Sequence, residues 1–379
     1  MYFDIDYYGR LLRHVWRLKQ WPGRRRLLLR LLLVTPPLTL FNALCFLLDY
    51  LLFPRLWWQP VKTPVFIVGH ARSGTTLMHR LMAADGDRFS YFLYWETLFP
   101  SLLQKQCIRW LGRLDSFLGG PLHARLKAWD DKTFGPFRHM HDMSLWNSEE
   151  DQFVMRAAFV TQQWSTDLPV MDVLDLFHLD QMPHKRRRWM RHYRECVKRQ
   201  LLLNGGKGIH LSKNPVMSGW VGSIIETFPD ARIVVMMRDP KQCIPSLLKL
   251  VESAWRHKGW TPEQYEKSLE IMRNVSFETF HNPQLQLEHH ATHCTVDYRN
   301  LISDPHGTVK MVYERLGFTL SPQFDAYLAA RAEREKSHAS KFEYSLGEYN
   351  LPESLIETEL ADFYEHYDWP RAGSAQQSA

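Results

Sequence analysis

The apolar and polar positions in the middle of the chain predict short buried strands that alternate with helices. Residues 65–68 and 232–237 are runs of mainly apolar residues, which are typical of strands buried on both faces, and a third strand is predicted over 208–211. Apolar residues recur at helical spacing over 241–251. Strands that alternate with helices favour an α/β fold in which helices flank a mostly parallel sheet.

The N-terminal sixty residues follow a different pattern. Residues 31–48 carry no charge, which is near the lower limit for a membrane span, but Pro36 and Pro37 predict a break between two helices, at 24–34 and 38–53. The arginines at 24–26 and the tryptophans at 57–58 resemble an interfacial anchor. Three alternatives stay open for residues 24–58: an anchor on a membrane surface, a true span, or a helical hairpin packed on the rest of the protein.

Composition narrows the class of protein. The 379 residues include 45% apolar and 23% charged residues, which excludes wholesale disorder. Lys and Arg exceed Asp and Glu by 47 to 41, a mild excess of +6 that suits an anionic ligand or a membrane surface better than nucleic acid. Five scattered cysteines without a C-x-x-C pair argue against a disulfide scaffold or a zinc ribbon.

The strongest chemical signal follows the strand at 65–68. Gly69 and Gly74 have the spacing of the phosphate-binding loop G-x-x-x-x-G-K-[ST], and a helix begins after Gly74. Thr75 replaces the lysine, and Arg72 supplies the positive charge within the loop, which suits a 5′-phosphosulfate better than magnesium–ATP. This loop predicts a three-layer, P-loop NTPase-like fold. The predicted anion-binding residues are Gly69, Arg72, Ser73, Gly74, Thr75, Thr76 and Leu77.

Two further basic residues follow predicted strands. Arg238 comes directly after the strand at 232–237, and Ser246 lies two helical turns further along. Lys213 follows the strand at 208–211 and precedes Pro215, which is suited to a helix start. Because ligands bind at the carboxyl ends of strands in open α/β sheets, Arg238, Ser246 and Lys213 are predicted to face one crevice.

Three motifs in this order, GHARSGTT, LSKNP and RIVVMMRDPKQCIPS, resemble the sulfotransferase superfamily that uses 3′-phosphoadenosine 5′-phosphosulfate (PAPS). The resemblance covers residues 60–350. It is closest to the bacterial-type family with a PRSGTTLLHRLL signature, with Ala71 in place of the usual proline, and more distant to the tyrosylprotein sulfotransferases.

The resemblance implies PAPS as the donor and no metal. It implies that the loop from Gly69 to Leu77 holds the 5′-phosphosulfate and that Arg238 and Ser246 hold the 3′-phosphate. Lys213 matches a lysine that supports the leaving phosphate. Tyr298, in DYRNL, is implied to lie near the nucleotide, and Lys341, in KFEYSL, belongs to a segment that closes over the site.

Two residues are candidates for the general base that takes the acceptor proton. Glu96 resembles the catalytic glutamate of the tyrosylprotein sulfotransferases, and its alternative role is that of a helix-capping or buried carboxylate. His141, in HMHDM, is the second candidate. The pair of His139 and His141 also suggests a metal, but no other ligands with suitable spacing accompany it.

The sequence therefore predicts a PAPS-dependent sulfotransferase that acts on a hydroxyl of a carbohydrate, lipid or other small molecule. A kinase of P-loop fold and an inactive membrane-associated binding protein are the alternatives. The predicted domains are 1–60, 61–350, with a largely helical acceptor-side insertion at 100–205, and 351–379. The expected location is the cytoplasm, at the inner face of a membrane, or the Golgi membrane in a eukaryote.

Overall fold

The computed structural model describes residues 1–86, 88–135, 138, 143–335, 349 and 351–371. The chain forms two compact units. Unit 1 comprises Met1–Pro64, Gly86–Gln163 and His184–Ser212, and unit 2 comprises Val65–Asp85, Trp164–Pro183 and Lys213–Ala379. Each unit draws on three separate stretches of sequence, and the predicted domain boundaries near 60 and 350 stay predictions.

Helices account for most of the described secondary structure. The strands are β1 (Val65–Gly69), β2 (Phe89–Ser90), β3 (Ile209–Lys213), β4 (Arg232–Met237) and β5 (His293–Asp297). The helices are α1 (Ile5–Arg17), α2 (Arg24–Leu29), α3 (Thr35–Leu52), α4 (Thr75–Ala83), α5 (Tyr94–Thr97), α6 (Leu102–Phe117), α7 (Pro121–Phe134), α8 (Gln163–Asp167), α9 (Pro183–Leu203), α10 (Val221–Thr227), α11 (Pro240–His257), α12 (Pro262–Leu287), α13 (Tyr298–Ser303), α14 (Pro305–Arg315), α15 (Pro322–Glu335), α16 (Glu353–Glu359) and α17 (Ala361–Tyr367). Short 3-10 turns lie at Pro54–Trp57, Asp151–Ala158, Leu179–Gln181 and Pro215–Trp220.

Unit 2 is built on a parallel sheet in the order β3-β1-β4-β5, to which β3 contributes its last residue. β4 pairs in parallel with both β1 and β5. On the other side of β1, the N–H of Asn214, just after β3, donates to the carbonyl of Ile67 at 3.0 Å. All five residues of β1 are buried, which explains its uninterrupted apolar sequence.

Helices flank this sheet. α4 contacts β1 and α14, and α14 contacts β5, whereas α12 contacts β1, α10 and α11. The predicted α/β fold is confirmed, as are the three predicted strands and the helix after β4. The sequence did not predict β2, which has only two residues, or β5, which begins with an exposed histidine.

Unit 1 is mainly helical. The first part of β3 pairs in parallel with β2, with Phe89 opposite Ile209 and Ser90 opposite His210. Helices α1 and α2 contact each other, as do α3 and α6, and α6 and α7. The described residues between 100 and 205 form α6 to α9 and 3-10 turns, and the assignment of this stretch as an acceptor-side insertion stays a prediction.

The two prolines do not break the N-terminal apolar helix, so the prediction of separate helices at 24–34 and 38–53 is wrong. The chain is helical from Arg24 to Leu52. A π-helical turn at Arg30–Val34 precedes the prolines, which then lie in the first turn of α3. Proline is tolerated in a first turn because its missing N–H is not needed there. A π-helical turn is also a known way to interrupt a regular helix without ending it.

A buried carboxylate joins α3 to the rest of unit 1. Asp49, which is fully buried, accepts hydrogen bonds from the Ser101 hydroxyl at 2.8 Å and from the Leu102 and Leu103 amides at 3.0 and 2.8 Å. It therefore caps the first turn of α6. The buried Arg199 guanidinium pairs with the same carboxylate at 2.7 Å, so the charge of each is compensated.

Candidate active site

The predicted ligand-binding residues of unit 2 share the carboxyl edge of its sheet. Gly69 and Lys213 are the last residues of β1 and β3, and Arg238 and Tyr298 directly follow β4 and β5. Because these strands are parallel, their carboxyl ends meet at one edge. The structure thus brings together four positions that are far apart in sequence.

The loop between β1 and α4 has an unusual backbone. Gly69 has φ of +123°, and a Cβ there would lie 2.2 Å from the carbonyl oxygen of Met236 on β4, so only glycine fits. Gly74 is left-handed, with φ of +90°. Arg72 also has a positive φ, of +71°, which is uncommon for a residue other than glycine and costs about 1–3 kcal/mol. Strain of this size is often found at functional sites.

The start of α4 is arranged to accept an anion. Gly74 occupies the N-cap position, and no side chain caps the helix. The amides of Thr75, Thr76 and Leu77 therefore form a first turn with no capping side chain, where the helix dipole also favours negative charge. Ser73 is turned inward, because its buried hydroxyl donates to the carbonyl of His70 at 2.6 Å.

Arg72 connects the loop to the second predicted anion site. Its Nε donates to the hydroxyl of Ser246 at 3.2 Å, and its carbonyl accepts a hydrogen bond from Arg238 at 2.9 Å. The loop after β1, the first residue after β4 and a residue two turns into α11 are therefore parts of one site. The sequence could place these segments at the same sheet edge, but it gave no sign of these contacts.

Tyr298 lies between the loop and Arg238. The Arg238 guanidinium carbon lies 4.4 Å from the centroid of the Tyr298 ring, a cation–π contact. A Cβ on Gly74 would approach the same ring to 2.6 Å, so the tyrosine packs directly on the loop backbone. Asp297 fixes the start of α13 by accepting the Arg299 amide at 2.8 Å.

Lys213 is almost completely buried, with 1% of its surface exposed. Its position is set by β3 and by Asn214, whose amide pairs with β1 and whose side chain accepts the Val216 amide at 3.1 Å. Lys213 is thus held at the carboxyl edge of the sheet, where ligands bind in open α/β folds.

Sequence reasoning missed two residues that shape the loop. The buried Ser218 hydroxyl accepts the Gly69 amide at 2.8 Å and donates to the Gly69 carbonyl at 3.2 Å. His70 is buried and stacks on Phe280, with ring centroids 5.6 Å apart, and burial lowers its pKa to about 4. His70 is therefore neutral near pH 7. Ser218 lies in no motif, whereas His70 could have been noticed as a residue of the loop itself.

Glu96, the first candidate for the base, belongs to unit 1. Its carboxylate is 1% exposed and accepts three hydrogen bonds: from the Leu93 amide at 2.9 Å, from Gln200 at 2.8 Å and from the Arg109 guanidinium at 3.0 Å. The bond to Leu93 caps α5, so both features of its alternative, structural role are present.

Glu96 also lines a cavity of about 430 Å³ within unit 1. Polar side chains contribute much of its wall, among them Arg109, Ser90, Asn204 and Lys207. The predicted residues His141 and Lys341 lie outside the described residues. Within the described part of the chain, no group of three or more His, Cys, Asp or Glu residues could hold a metal ion.

The family follows from a comparison over most of the sheet-containing region. Residues 64–322 match the model of the sulfotransferase family, which is more than half of the chain. The chain belongs to the sulfotransferase family. The sulfotransferase resemblance of the three motifs is thereby confirmed, and the protein is a sulfotransferase enzyme.

Curated relatives agree with this assignment, and two solved structures share the fold. The sulfotransferase is 25% identical over 321 residues to omega-hydroxy-beta-dihydromenaquinone-9 sulfotransferase Stf3 of Mycobacterium bovis and of Mycobacterium tuberculosis, covering 81% of this chain and 76% of theirs. Its fold is similar to STF9 from Mycobacterium avium, with a TM-score of 0.74, 18% identity and coverage of 98% and 94%. STF1 from Mycobacterium tuberculosis has a similar fold, with a TM-score of 0.67 and 21% identity. The match covers 94% of this chain and 92% of STF1.

Proposed function

We propose that this sulfotransferase moves a sulfuryl group from PAPS to the hydroxyl of a lipid-like acceptor at a membrane surface. The observation that supports the donor is the pair of contacts made by Arg72, which join the loop after β1 to Ser246 and Arg238. A nucleotide with anionic groups on its 3′ and 5′ oxygens would meet a helix N-terminus with the 5′ group and an arginine with a serine with the 3′ group.

Each side chain has a place in this proposal. The amides of Thr75, Thr76 and Leu77, together with Arg72, bind the 5′-phosphosulfate, and Arg238 and Ser246 bind the 3′-phosphate. Tyr298 packs against Arg238 and orients it. Position 75 is a threonine, whereas magnesium–ATP enzymes have a lysine at that position. No metal therefore takes part in the proposed reaction.

PAPS supplies an activated sulfuryl group. In the transfer, a bond forms between the acceptor oxygen and sulfur while the bond from sulfur to the bridging phosphate oxygen breaks. Lys213, Arg72 and the α4 amides neutralise the negative charge that builds on that bridging oxygen. The acceptor proton passes to a general base. The alignment of the two reacting oxygens makes the remaining contribution to the rate.

Glu96 is the proposed base, with His141 as the alternative. Two features support Glu96: it lines a cavity, and its three hydrogen bonds hold the carboxylate in a defined position. A carboxylate offers about four acceptor positions, so three hydrogen bonds leave room for one acceptor hydroxyl.

The acceptor class is proposed from the relatives and from the N-terminus. The curated relatives are named as sulfotransferases of omega-hydroxy-beta-dihydromenaquinone-9, a hydroxylated lipid. In this chain, the helix from Arg24 to Leu52 contains an 18-residue stretch with a mean hydropathy of 2.0, and only 22% of that stretch is buried. A lipid-like hydroxyl acceptor is consistent with both observations.

The same helix is proposed to lie on a membrane rather than to cross it. It is long and apolar enough to span, but Asn42, Phe46 and Asp49 are buried against unit 1 along one of its faces. The opposite face exposes leucines, and Trp57 and Trp58 are exposed just beyond its end. An amphipathic arrangement with flanking arginines and tryptophans is typical of an interfacial helix. With a cytosolic donor, the cytoplasmic face of the membrane is the proposed location.

Calorimetric titration with 3′,5′-adenosine bisphosphate, without magnesium, tests the donor site. The wild type is expected to bind, and Arg238→Ala is expected to bind at least about tenfold more weakly because a charge-assisted contact to phosphate is lost. Arg315→Ala, which removes an exposed arginine at the end of α14, is the matched control and is expected to bind like the wild type. Binding of magnesium–ATP in place of the bisphosphate would refute the proposal and favour a kinase.

Labelled PAPS tests the acceptor. Transfer to a long-chain isoprenoid alcohol in detergent is compared with transfer to a short, water-soluble alcohol that carries the same hydroxyl. Preference for the long chain is expected. Equal transfer to both alcohols would contradict the lipid assignment while leaving the sulfotransferase reaction intact.

A further inference from the structure

The hairpin of α6 and α7 ends in a strongly apolar tip. Phe117 is 86% exposed, the highest value among the exposed large apolar side chains of the described residues, and the neighbouring Leu118 is 64% exposed. Leu122, at the start of α7, is more than half exposed as well. Adjacent apolar side chains exposed to this degree are rare on soluble monomers and mark an interaction surface.

The tip is held in a defined conformation. Asp115, which is buried, accepts the amides of Leu122 at 2.8 Å and His123 at 2.9 Å and so caps α7. Its carbonyl also accepts the Gly120 amide at 2.8 Å. The exposed apolar residues are therefore presented by a hydrogen-bonded turn, and their exposure does not result from a loosely packed loop.

The hairpin is basic as well as apolar. Between residues 110 and 134 the hairpin carries four cations and three carboxylates, a net charge of +1, but Asp115 and Asp130 are buried, so the exposed charged residues are four cations and one anion. These are Arg113, Arg125, Lys127, Lys132 and Asp131. Trp110 and Trp129 are both about half exposed on the two helices. Cations and indoles around an apolar tip complement the anionic headgroups and the acyl boundary of a phospholipid bilayer.

The hairpin is attached directly to the N-terminal apolar helix. The side chain of Gln104 on α6 donates to Asn42 on α3 at 2.8 Å, and Asp49 on α3 caps α6. These buried contacts fix the two helices to each other within unit 1. The exposed leucines of α3 and the exposed tip of the hairpin thus both belong to unit 1, on helices that buried hydrogen bonds join.

We infer that the tip of the α6–α7 hairpin, residues 117–122, inserts into an anionic phospholipid bilayer as a second anchor beside the helix from Arg24 to Leu52. The inference rests on the proposed membrane association of that helix and adds a separate contact to it. Two anchors hold a protein on a membrane far better than one, because their contributions to binding combine.

Co-sedimentation of the full chain with vesicles of phosphatidylcholine, with and without phosphatidylglycerol, tests the inference. The double variant Phe117→Asp with Leu118→Asp is expected to partition at least about tenfold more weakly, because two apolar side chains no longer enter the bilayer. The matched control is Leu285→Asp, which changes a leucine that is 70% exposed on α12. The control is expected to partition like the wild type.

A labelled tip gives a direct second measurement. Cys107 is the exposed cysteine and the other four are buried, so Cys107→Ser with Leu118→Cys provides one reactive thiol for a polarity-sensitive dye. A blue shift in emission is expected when phosphatidylglycerol vesicles are added. An unchanged spectrum, or equal partition of the double aspartate variant and the wild type, overturns the inference.

Two further measurements are needed. One separates a failure of this inference from a failure of the proposed donor, and the other separates membrane insertion from dimerisation. Titration with 3′,5′-adenosine bisphosphate is expected to be the same for the tip variants and the wild type; if the wild type itself fails to bind, the proposed donor is wrong while the vesicle result stands. Light scattering without vesicles detects a second copy as the partner of the tip. A dimer that the aspartates dissociate, with unchanged vesicle binding, would refute membrane insertion.

Discussion

Glu96 is surrounded by hydrogen-bond donors, so a role as the base has to be separated from its role in holding α5. Its oxygens bind a backbone amide, a glutamine amide and an arginine. Asp130 has a closely similar set of partners, namely the Leu145 amide, the Ser144 hydroxyl and Arg138. The two buried carboxylates therefore form a natural pair for comparison.

Glu96→Gln is expected to lower kcat by about 100-fold or more, because the proposed base for the acceptor proton is lost. Asp130→Asn is expected to lose about as much thermal stability as Glu96→Gln, with little change in kcat. Both variants are to be measured for turnover, unfolding temperature and bisphosphate affinity. If Glu96→Gln keeps wild-type turnover, Glu96 has only a structural role, and His141 becomes the residue to test.

Lys105 is a buried lysine whose charge affects stability. Its ammonium donates to Gln200 at 2.9 Å and lies 4.6 Å from the centroid of the Phe92 ring. Burial lowers its pKa from 10.5 to about 8. Below pH 8 the folded protein bears the cost of a buried charge; between pH 8 and 10.5 the folded state releases this proton while the unfolded state keeps it, so stability rises with pH.

Lys105→Met is therefore expected to raise the unfolding temperature at pH 7, with a gain that shrinks as the pH rises from 8 towards 10.5. Thermal unfolding of both proteins across this range measures the difference. Lys207→Met, at an exposed lysine, is the control and should show no such trend. A gain that stays constant with pH would show that packing, and not the titration of Lys105, is the cause.

At the scale of residues, the sequence located more of the site than it explained. Arg72, Lys213 and Arg238 could be placed because each is at or near the end of a predicted strand, where a local apolar run reveals the position. Tyr298 was implied only by the family resemblance, because β5 was not predicted. The contact of Ser218 with Gly69 could not be predicted, because it joins residues 149 apart through the fold. Hydrogen bonds of this kind leave no local pattern.

Among the helices, the attachment of α3 to α6 depends on one carboxylate. Asp49→Ala is expected to destabilise the protein by about 3–5 kcal/mol, because Arg199 would remain buried without its partner and α6 would lose its cap. Urea unfolding measures this change. Asp304→Ala, which removes the exposed cap of α14, is the control and should cost about 1 kcal/mol. A similar, small loss in both variants would show that the buried pair contributes little.

The prediction of elements succeeded where a long apolar run determined the result. β1 and β4 were predicted closely, but the break at Pro36 and Pro37 was wrong because proline was judged without its position in a turn. The π-helical turn at Arg30–Val34 has no sequence signature that could have indicated it. β5 pairs with β4 over five residues, and that partner, more than its own sequence, defines it.

Across the whole molecule, the position of charge matters more than its sum. The triple variant of Arg25, Arg26 and Arg30 to Gln lowers the net charge from +6 to +3, and so does changing Lys249, Lys310 and Arg315 to Gln. The first is expected to weaken partition onto phosphatidylglycerol vesicles on the order of 100-fold at low salt, at about 1 kcal/mol per charge, and less at high salt. The second set should have little effect.

Vesicle co-sedimentation over a range of salt concentrations measures both variants. An equal loss in the two would mean that only net charge matters and would contradict an oriented membrane contact.

The interleaved units are the whole-molecule feature that the sequence could not reveal. Residues 86–163 and 184–212 belong with the N-terminus in unit 1, and only long-range contacts, which periodicity does not report, determine that grouping.

The left-handed backbone of Arg72 has a consequence for laboratory evolution. Glycine adopts that conformation without strain, so Arg72→Gly would relieve the backbone while it removes the guanidinium that contacts Ser246. A library screened only for thermal stability would enrich this substitution. The selected variants would be more stable but have lower turnover. Directed evolution of a more thermostable enzyme therefore requires a screen for turnover in every round.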